Sequence, residues 1–300
     1  MIVALLLALF QAAPATQPAS RPASPGADVS PALFLVSDED TELYVFGSMH
    51  ALPDGVDWRS DKFDAVFADA EAVYFEIPMT PATLLGMQVK LMQVGMLPQG
   101  ETLRDLLDDD EDAALEAMAA RAGLPMAAVD RMKPSTAATS LAAAAMADAD
   151  LVPTSGVELV LAAEAAQRQL EVGGLETIDE QIDLLFNMPE EEGLAMLRET
   201  LATADEPEAA ANELRELYAA WSTGDTDALH AMMEEMKEES PDLYQRLLVD
   251  RNANWVPQLV DLLAERPGVV LIVVGGGHLE GEGGVLPMLR EKGVSVERVE

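Results

Sequence analysis

Cysteine is absent from the 300 residues of this chain. Its absence excludes disulfides, thiolate metal sites, a cysteine nucleophile and lipoprotein-type acylation. Basic residues are scarce, because 18 Lys and Arg stand against 54 Asp and Glu, and the formal net charge is −36. A chain this acidic repels phosphate backbones, which argues against nucleic-acid binding. The charge is compatible with cationic partners and metal ions.

The first apolar run, residues 2–10, is too short to span a bilayer and suits the core of a signal peptide. Ala13-Pro14-Ala15 then offers an A-x-A-like cleavage site. The sequence therefore predicts a signal peptide over residues 1–15, a Pro/Ala/Ser-rich linker over residues 16–31 and a single domain over residues 32–300. We expect a periplasmic or secreted protein with no stable membrane span after cleavage.

Apolar runs and helical periodicity predict an α/β fold, with a mixed central sheet built from N- and C-terminal strands and a large, mostly helical middle region. The predicted strands cover residues 32–37, 41–46, 72–77, 151–157, 170–175 and 269–274. The later helices are predicted through residues 177–202, 207–221, 225–237 and 241–265. The methionines of the middle region are interpreted as adaptable core filler: Met87, Met92, Met96, Met118, Met126 and Met132.

Histidine occurs only three times, and two copies end G-x-x-H elements that directly follow predicted strands. These are Gly47-Ser48-Met49-His50 and Gly275-Gly276-Gly277-His278. Glu76 lies within another predicted strand, where an ionised carboxylate is costly to bury unless it is paired, hydrogen-bonded or bound to metal. A position on a solvent-exposed face of the strand would explain the presence of Glu76 equally well. The third histidine, His230, is interpreted as an ordinary helix residue.

Two imidazoles and a carboxylate can bind Zn²⁺, Mn²⁺, Co²⁺ or Fe²⁺ and leave positions open for water. The same groups can act without metal as general acid and base. Glu176 falls at a strand-to-helix junction, where site residues and surface turns are both common. Arg251, in the last long helix, is by default a solvent-facing residue. No P-loop, G-x-S-x-G, H-E-x-x-H or dinucleotide fingerprint is present.

Several motifs together resemble the TraB/GumN family, which is related to the Tiki membrane metalloproteases. The resemblance covers about residues 32–300. In the N-terminal part its motifs are residues 43–50 with Leu52-Pro53 and Asp57-Trp58, and Val73-Tyr74-Phe75-Glu76. In the rest of the chain they are Gly156-Val157, Gly174-Leu175-Glu176-Thr177 with Gln181, Asp250-Arg251-Asn252 with Trp255, residues 274–284 and residues 293–296. Two positions depart from the family pattern. Glu158 stands where Asp usually follows Gly-Val, and Ser135 stands where Trp often follows Lys-Pro.

The resemblance implies an α/β fold in which both G-x-x-H elements meet in one pocket. It implies that His50, His278 and Glu76 bind a divalent metal ion (Mn, Co, Zn or Fe) or act as the catalytic set. Arg251 would stabilise an oxyanion, and Glu176 is a further candidate catalytic residue.

The implied activity is a metal-dependent hydrolase, a peptidase acting on a peptide or another small secreted substrate. Two other functions stay open. One is a non-catalytic protein that sequesters a peptide, metal or haem in the same pocket, and the other is a metal-free His/Glu hydrolase.

Overall fold

Four adjacent parallel strands make up most of a six-stranded mixed sheet in the computed structural model, which describes residues 29–300. The strand order is β4-β3-β5-β2-β1-β6, with β1 antiparallel to both of its neighbours. The strands are β1 (Leu33–Ser37), β2 (Thr41–Ser48), β3 (Ala72–Phe75), β4 (Glu171–Gly174), β5 (Gly268–Gly275) and β6 (Ser295–Arg298). The predicted α/β architecture is therefore confirmed.

Both faces of the central strands are buried, which explains their unbroken apolar sequence. Successive side chains point to opposite faces of a strand, and β5 shows the result. Leu271 and Val273 join the larger core, whereas Ile272 and Val274 join a second core on the other face. The first core extends through the helical middle region.

Helices fill the chain between the strands and make up most of the region between β3 and β5. They are α1 (Asp61–Asp69), α2 (Pro81–Val94), α3 (Asp109–Arg121), α4 (Met126–Val129), α5 (Pro134–Asp148), α6 (Val157–Arg168), α7 (Ile178–Phe186), α8 (Glu190–Ala202), α9 (Pro207–Ser222), α10 (Thr226–Glu239), α11 (Pro241–Tyr244), α12 (Asp250–Glu265) and α13 (Val285–Glu291). None of them, within residues 29–300, is long and apolar enough to cross a bilayer.

The helix predicted over residues 241–265 is continuous but not uniform. A π-helical segment, Gln245–Val249, lies between α11 and α12. Such a segment adds a residue to one turn and is frequent at functional sites. It ends just before the Asp250-Arg251-Asn252 motif and so helps to set the direction in which these side chains point.

Two local predictions are wrong. Residues 151–157 do not form a strand, because Val152 makes only an isolated bridge to Leu52 and a 3₁₀ turn, Pro153–Ser155, leads directly into α6. The helix predicted over residues 177–202 is two helices, since Pro189 precedes the start of α8 and the residue before a proline is disfavoured in a helix.

The methionine interpretation is right for Met87 and Met118, which are buried, and wrong for Met92 and Met96, which are exposed. The predicted signal peptide and almost all of the predicted linker lie outside the described residues.

Candidate functional site

The carboxyl ends of the four parallel strands meet at one edge of the sheet. Ser48 at the end of β2 pairs with Gly275 at the end of β5, and Phe75 at the end of β3 pairs with Val273. Side chains that follow these strand ends come together, as is typical of ligand sites in open α/β sheets. Four of the sequence-predicted site residues, His50, Glu76, Glu176 and His278, follow strand ends at this edge.

Arg251 is the centre of the polar cluster there. Its Nε donates to Glu176 Oε1 at 2.7 Å, and its Nη2 donates to Glu76 Oε2 at 2.6 Å and to Glu176 Oε2 at 3.0 Å. Its Nη1 donates to the Leu247 carbonyl at 3.3 Å and lies 3.2 Å from His278 Nε2. These contacts use all five N–H groups of a guanidinium. Arg251 is 7% exposed, so the solvent-facing default for this residue is wrong.

Glu76 lies one residue beyond the end of β3 and is fully enclosed. Its Oε1 accepts the Gly275 backbone N–H at 2.9 Å, while its Oε2 accepts from Arg251. Burial alone would raise the pKa of Glu76, but the Arg251 charge and the Gly275 N–H hold that pKa well below its ordinary value. Glu76 is therefore ionised, and the alternative that it lies on a solvent-exposed face of the strand is wrong.

Glu176 shares Arg251 with Glu76 and also accepts from Trp255 Nε1 at 2.9 Å. Burial raises the pKa of Glu176 despite the Arg251 charge, and the nearby Glu76 charge raises it further. Two buried carboxylates that share one guanidinium titrate as a coupled pair. The first proton taken up on acidification therefore belongs mainly to Glu176.

His278 is held in one tautomer by Asn252. Its Nδ1 lies 2.7 Å from Asn252 Oδ1, and Asn252 Nδ2 donates to the Gly283 carbonyl at 2.8 Å. The amide orientation makes Oδ1 the acceptor, so His278 carries its proton on Nδ1 and keeps the lone pair on Nε2. Burial, followed by the Arg251 charge, lowers the pKa of His278 to about 3. The ring is therefore neutral at physiological pH.

His50 has a different partner, the buried carboxylate of Glu158. His50 Nδ1 lies 2.7 Å from Glu158 Oε1, and Ser48 Oγ donates to the same oxygen. The contact is close but lies off the direction of an ideal hydrogen bond, so Nδ1 has no partner of ordinary hydrogen-bond geometry. Burial alone would lower the pKa of His50, but the Glu158 charge outweighs it and raises that pKa.

Gly156 is the residue that allows this pairing. A Cβ on Gly156 would lie 2.0 Å from the His50 carbonyl oxygen, a distance no side chain tolerates. The next residue, Val157, donates its N–H to the Met49 carbonyl at 3.1 Å. Because α6 begins in contact with the His50 loop, its first turn places Glu158 beside the imidazole.

Sequence reasoning identified Glu158 only as a departure from the family pattern, although it is the closest acidic partner of His50. No local signal connects residues 108 positions apart. Asn252 and Trp255 were recognised only as motif members. For Trp255 the available signal was its position one turn beyond Arg251 on the same helix face. His230 lies in α10 as predicted and is half-buried.

The expected metal ligands do not fit a divalent ion in this arrangement. His278 Nε2 and Glu76 Oε1 are 3.9 Å apart, and the Arg251 guanidinium contacts both residues. A second cation at that place would be repelled, and the only lone pair of Nε2 already faces Nη1. Within residues 29–300, no three His, Asp or Glu side chains are grouped closely enough to hold a metal ion. The metal expectation stays a prediction.

Comparison with known proteins agrees with the motifs. The model of the TraB/PrgY/gumN family matches residues 32–298, which include every residue of the cluster. No curated protein and no solved structure matches the chain. Since the family model spans most of the sequence, the chain belongs to the TraB/PrgY/gumN family.

Proposed function

We propose that the chain is a hydrolase in which His50, oriented by Glu158, is the general base and a peptide is the substrate. The observation that carries this proposal is the 2.7 Å contact between His50 Nδ1 and Glu158 Oε1, both buried at the carboxyl edge of the sheet. A carboxylate that faces one ring nitrogen orients the imidazole and stabilises its protonated form, which is the arrangement of a catalytic base.

The reaction needs a base that takes a proton from water as its oxygen attacks the substrate carbonyl carbon. With Nδ1 facing Glu158, Nε2 of His50 receives that proton and later returns it to the leaving amine. A base works best when its pKa lies near the operating pH. Glu158 raises the pKa of His50, whereas the pKa of His278 is lowered to about 3, so His50 is the better base of the two.

Arg251, Glu76 and Glu176 act as positioning residues in this proposal. Because all five N–H groups of Arg251 are engaged, the guanidinium would have to release a protein partner before it could stabilise an oxyanion. Its role here is to neutralise and align the two carboxylates and to keep His278 uncharged.

Metal-dependent hydrolysis is the second candidate, and one observation favours it. His278 donates from Nδ1 to a fixed carbonyl, which leaves Nε2 as its only lone pair. This is the tautomer that metal-binding histidines commonly adopt, with an oxygen acceptor behind the ring. The position of Arg251 between His278 and Glu76 argues against it, so metal content decides between the two candidates.

The test combines metal analysis with turnover of a mixed library of quenched fluorescent peptides. We expect purified protein to cleave peptides in the presence of chelator and to contain no stoichiometric metal. Glu158→Gln and His50→Gln should each lower kcat/KM by about 100-fold or more, and His230→Gln serves as the matched control.

Stoichiometric metal that is lost in His278→Ala, together with inhibition by chelator, would establish the metal-dependent alternative instead. Tight capture of a peptide or haem without turnover would establish the non-catalytic binding protein.

A further inference from the structure

Exposed apolar surface is concentrated at one place in the described chain. Within residues 29–300, the large apolar side chains that remain exposed are Leu85 (64%), Val89 (50%), Met92 (77%) and Met96 (39%). All four lie on α2 or directly after its end, and we call them the apolar stripe. Contiguous exposed apolar surface on a soluble domain marks an interaction site more often than chance, whereas scattered single residues do not.

The spacing of the stripe is that of a helix-pairing surface. Leu85, Val89 and Met92 are separated by four and three positions, so they follow one face of the helix. Met96 extends this surface just beyond the helix end, where its backbone bridges to Met132. The opposite face of α2 already packs into the protein through Met87, which is buried. The stripe is therefore a second apolar face with no partner among the described residues.

The helix that carries the stripe starts at the carboxyl ends of the strands, beside the reaction centre. Helix α2 begins five residues after Glu76 and packs against α7, which begins two residues after Glu176. An ion pair between Lys90 and Asp179 joins the two helices. Both helices leave the sheet at its carboxyl edge, where the His and Glu side chains gather.

The surrounding charge selects the partner. Helix α2 carries no acidic residue, and its Lys90 pairs with Asp179 of α7. Helix α7 also exposes Glu180 and Asp183, so acidic groups exceed basic ones along this flank. A ligand that covers the stripe would lay its flank along these acids, so cationic side chains on that flank are favoured. A second copy of this chain would bring another charge of −36, and anionic membrane surfaces would be repelled in the same way.

We infer that the apolar stripe binds an amphipathic basic segment of the peptide substrate, which is delivered to the His50–Glu158 pair. This inference rests on the proposed peptidase function. The apolar face of the bound segment packs on flexible methionine side chains, which adapt to different sequences, and its Lys or Arg side chains face α7. Recognition of this kind, by an amphipathic helix laid on an apolar surface, is a recurring mode of peptide binding.

The test uses the full chain and two labelled probe peptides of 14 residues, the length of α2. One is a Leu/Lys amphipathic peptide and the other its Leu/Glu counterpart. Fluorescence anisotropy should show binding of the Leu/Lys probe that weakens with salt, and none of the Leu/Glu probe. The double variant Leu85→Ser/Met92→Ser should raise Kd by about tenfold or more, since two apolar contacts are lost.

The matched control is Ala202→Ser/Ala209→Ser, a pair of exposed helical positions away from the stripe. Equal loss of binding in the control, equal affinity for the Leu/Glu probe or unchanged affinity in the stripe variant would overturn the inference. A dimer seen by sedimentation that the stripe variant dissociates, or binding to lipid vesicles in place of the peptide, would also overturn it.

Binding should persist in Glu158→Gln, which keeps the stripe but removes the partner of the proposed base. Binding of the probe without hydrolysis by the wild type would contradict the proposed function but not the stripe inference. If a peptide substrate is hydrolysed with the same KM whether or not a basic amphipathic segment is appended to it, the stripe inference is contradicted and the proposed function is not.

Discussion

The two G-x-x-H elements have the same spacing and follow two neighbouring parallel strands, yet their histidines sit in opposite electrostatic environments. His50 faces the Glu158 carboxylate, and its pKa is raised. His278 faces the Asn252 amide and the Arg251 guanidinium, and its pKa is lowered to about 3. Identical local motifs thus give one ring suited to accept protons and one that stays neutral.

The difference comes from helices that are remote in sequence. Glu158 is supplied by the first turn of α6, whereas Arg251 and Asn252 are supplied by α12. A buried ring responds strongly to neighbouring charge, because little water screens the interaction. A G-x-x-H motif therefore fixes where a histidine stands but not what its ring does.

The largest effect is expected from Arg251→Met, which would leave Glu76 and Glu176 buried without their cation. Removal of one partner of a buried ion pair typically costs 3–5 kcal/mol. We expect the free energy of unfolding, measured with guanidinium chloride, to fall by about that amount. In Arg251→Lys, which keeps the charge but loses the paired N–H groups of the guanidinium, the free energy of unfolding should fall by less. A loss below about 1 kcal/mol for Arg251→Met would contradict the central role of this residue.

The next effect is a pair of pH dependences with opposite sign. Above about pH 6.5 His278 is neutral in both the folded and the unfolded chain. Between pH 6.5 and about pH 3, His278 takes up a proton only in the unfolded chain. Stability relative to His278→Gln should therefore fall as pH falls through this window. His50 has a raised pKa, so stability relative to His50→Gln should rise as pH falls and be lost as pH rises through the folded pKa. Denaturant midpoints at several pH values test this, and the same sign for both would refute it.

Asn252→Asp should convert the His278 environment into one that resembles that of His50. A carboxylate in place of the amide would raise the pKa of His278 by about one unit or more. Ring resonances in NMR report the titration, and assignment is simple with three histidines. Glu158→Gln is the reverse change, and it should lower the pKa of His50. An unchanged His278 titration in Asn252→Asp would show that Arg251 and burial alone set its pKa.

The smallest effect is expected from His230→Gln. His230 is half-buried in α10, with its Nε2 3.9 Å from Glu234 Oε1. Substitutions away from buried networks usually change stability by less than about 0.5 kcal/mol. The unfolding free energy and the other two histidine titrations should therefore stay unchanged. Helix α10 packs against the Gly276–His278 turn through Leu229 and Met233, so a shift in either titration would mean that the His230 imidazole itself acts on the site.

Much of the fold was readable from the sequence because its signals are local. The apolar run of β5 predicted a strand buried on both faces, and the Thr177–Glu180 capping box predicted the start of α7, where both capping bonds are present. The strand predicted over residues 151–157 is wrong because Pro153 starts a turn there, and the helix start at Val157 depends on a contact with the His50 loop. Met92 was misread because composition does not say which face of a helix finds a partner.

The sequence by itself determined five of the six strands, the α/β architecture and the placement of His50, Glu76, Glu176 and His278 at strand ends, because periodicity and glycine spacing act over a few residues. Only the tertiary structure decided that Arg251 bridges two carboxylates and that Glu158 pairs with His50. Burial and opposing charge from distant helices set the protonation of each ring, and neither quantity is encoded in the motif.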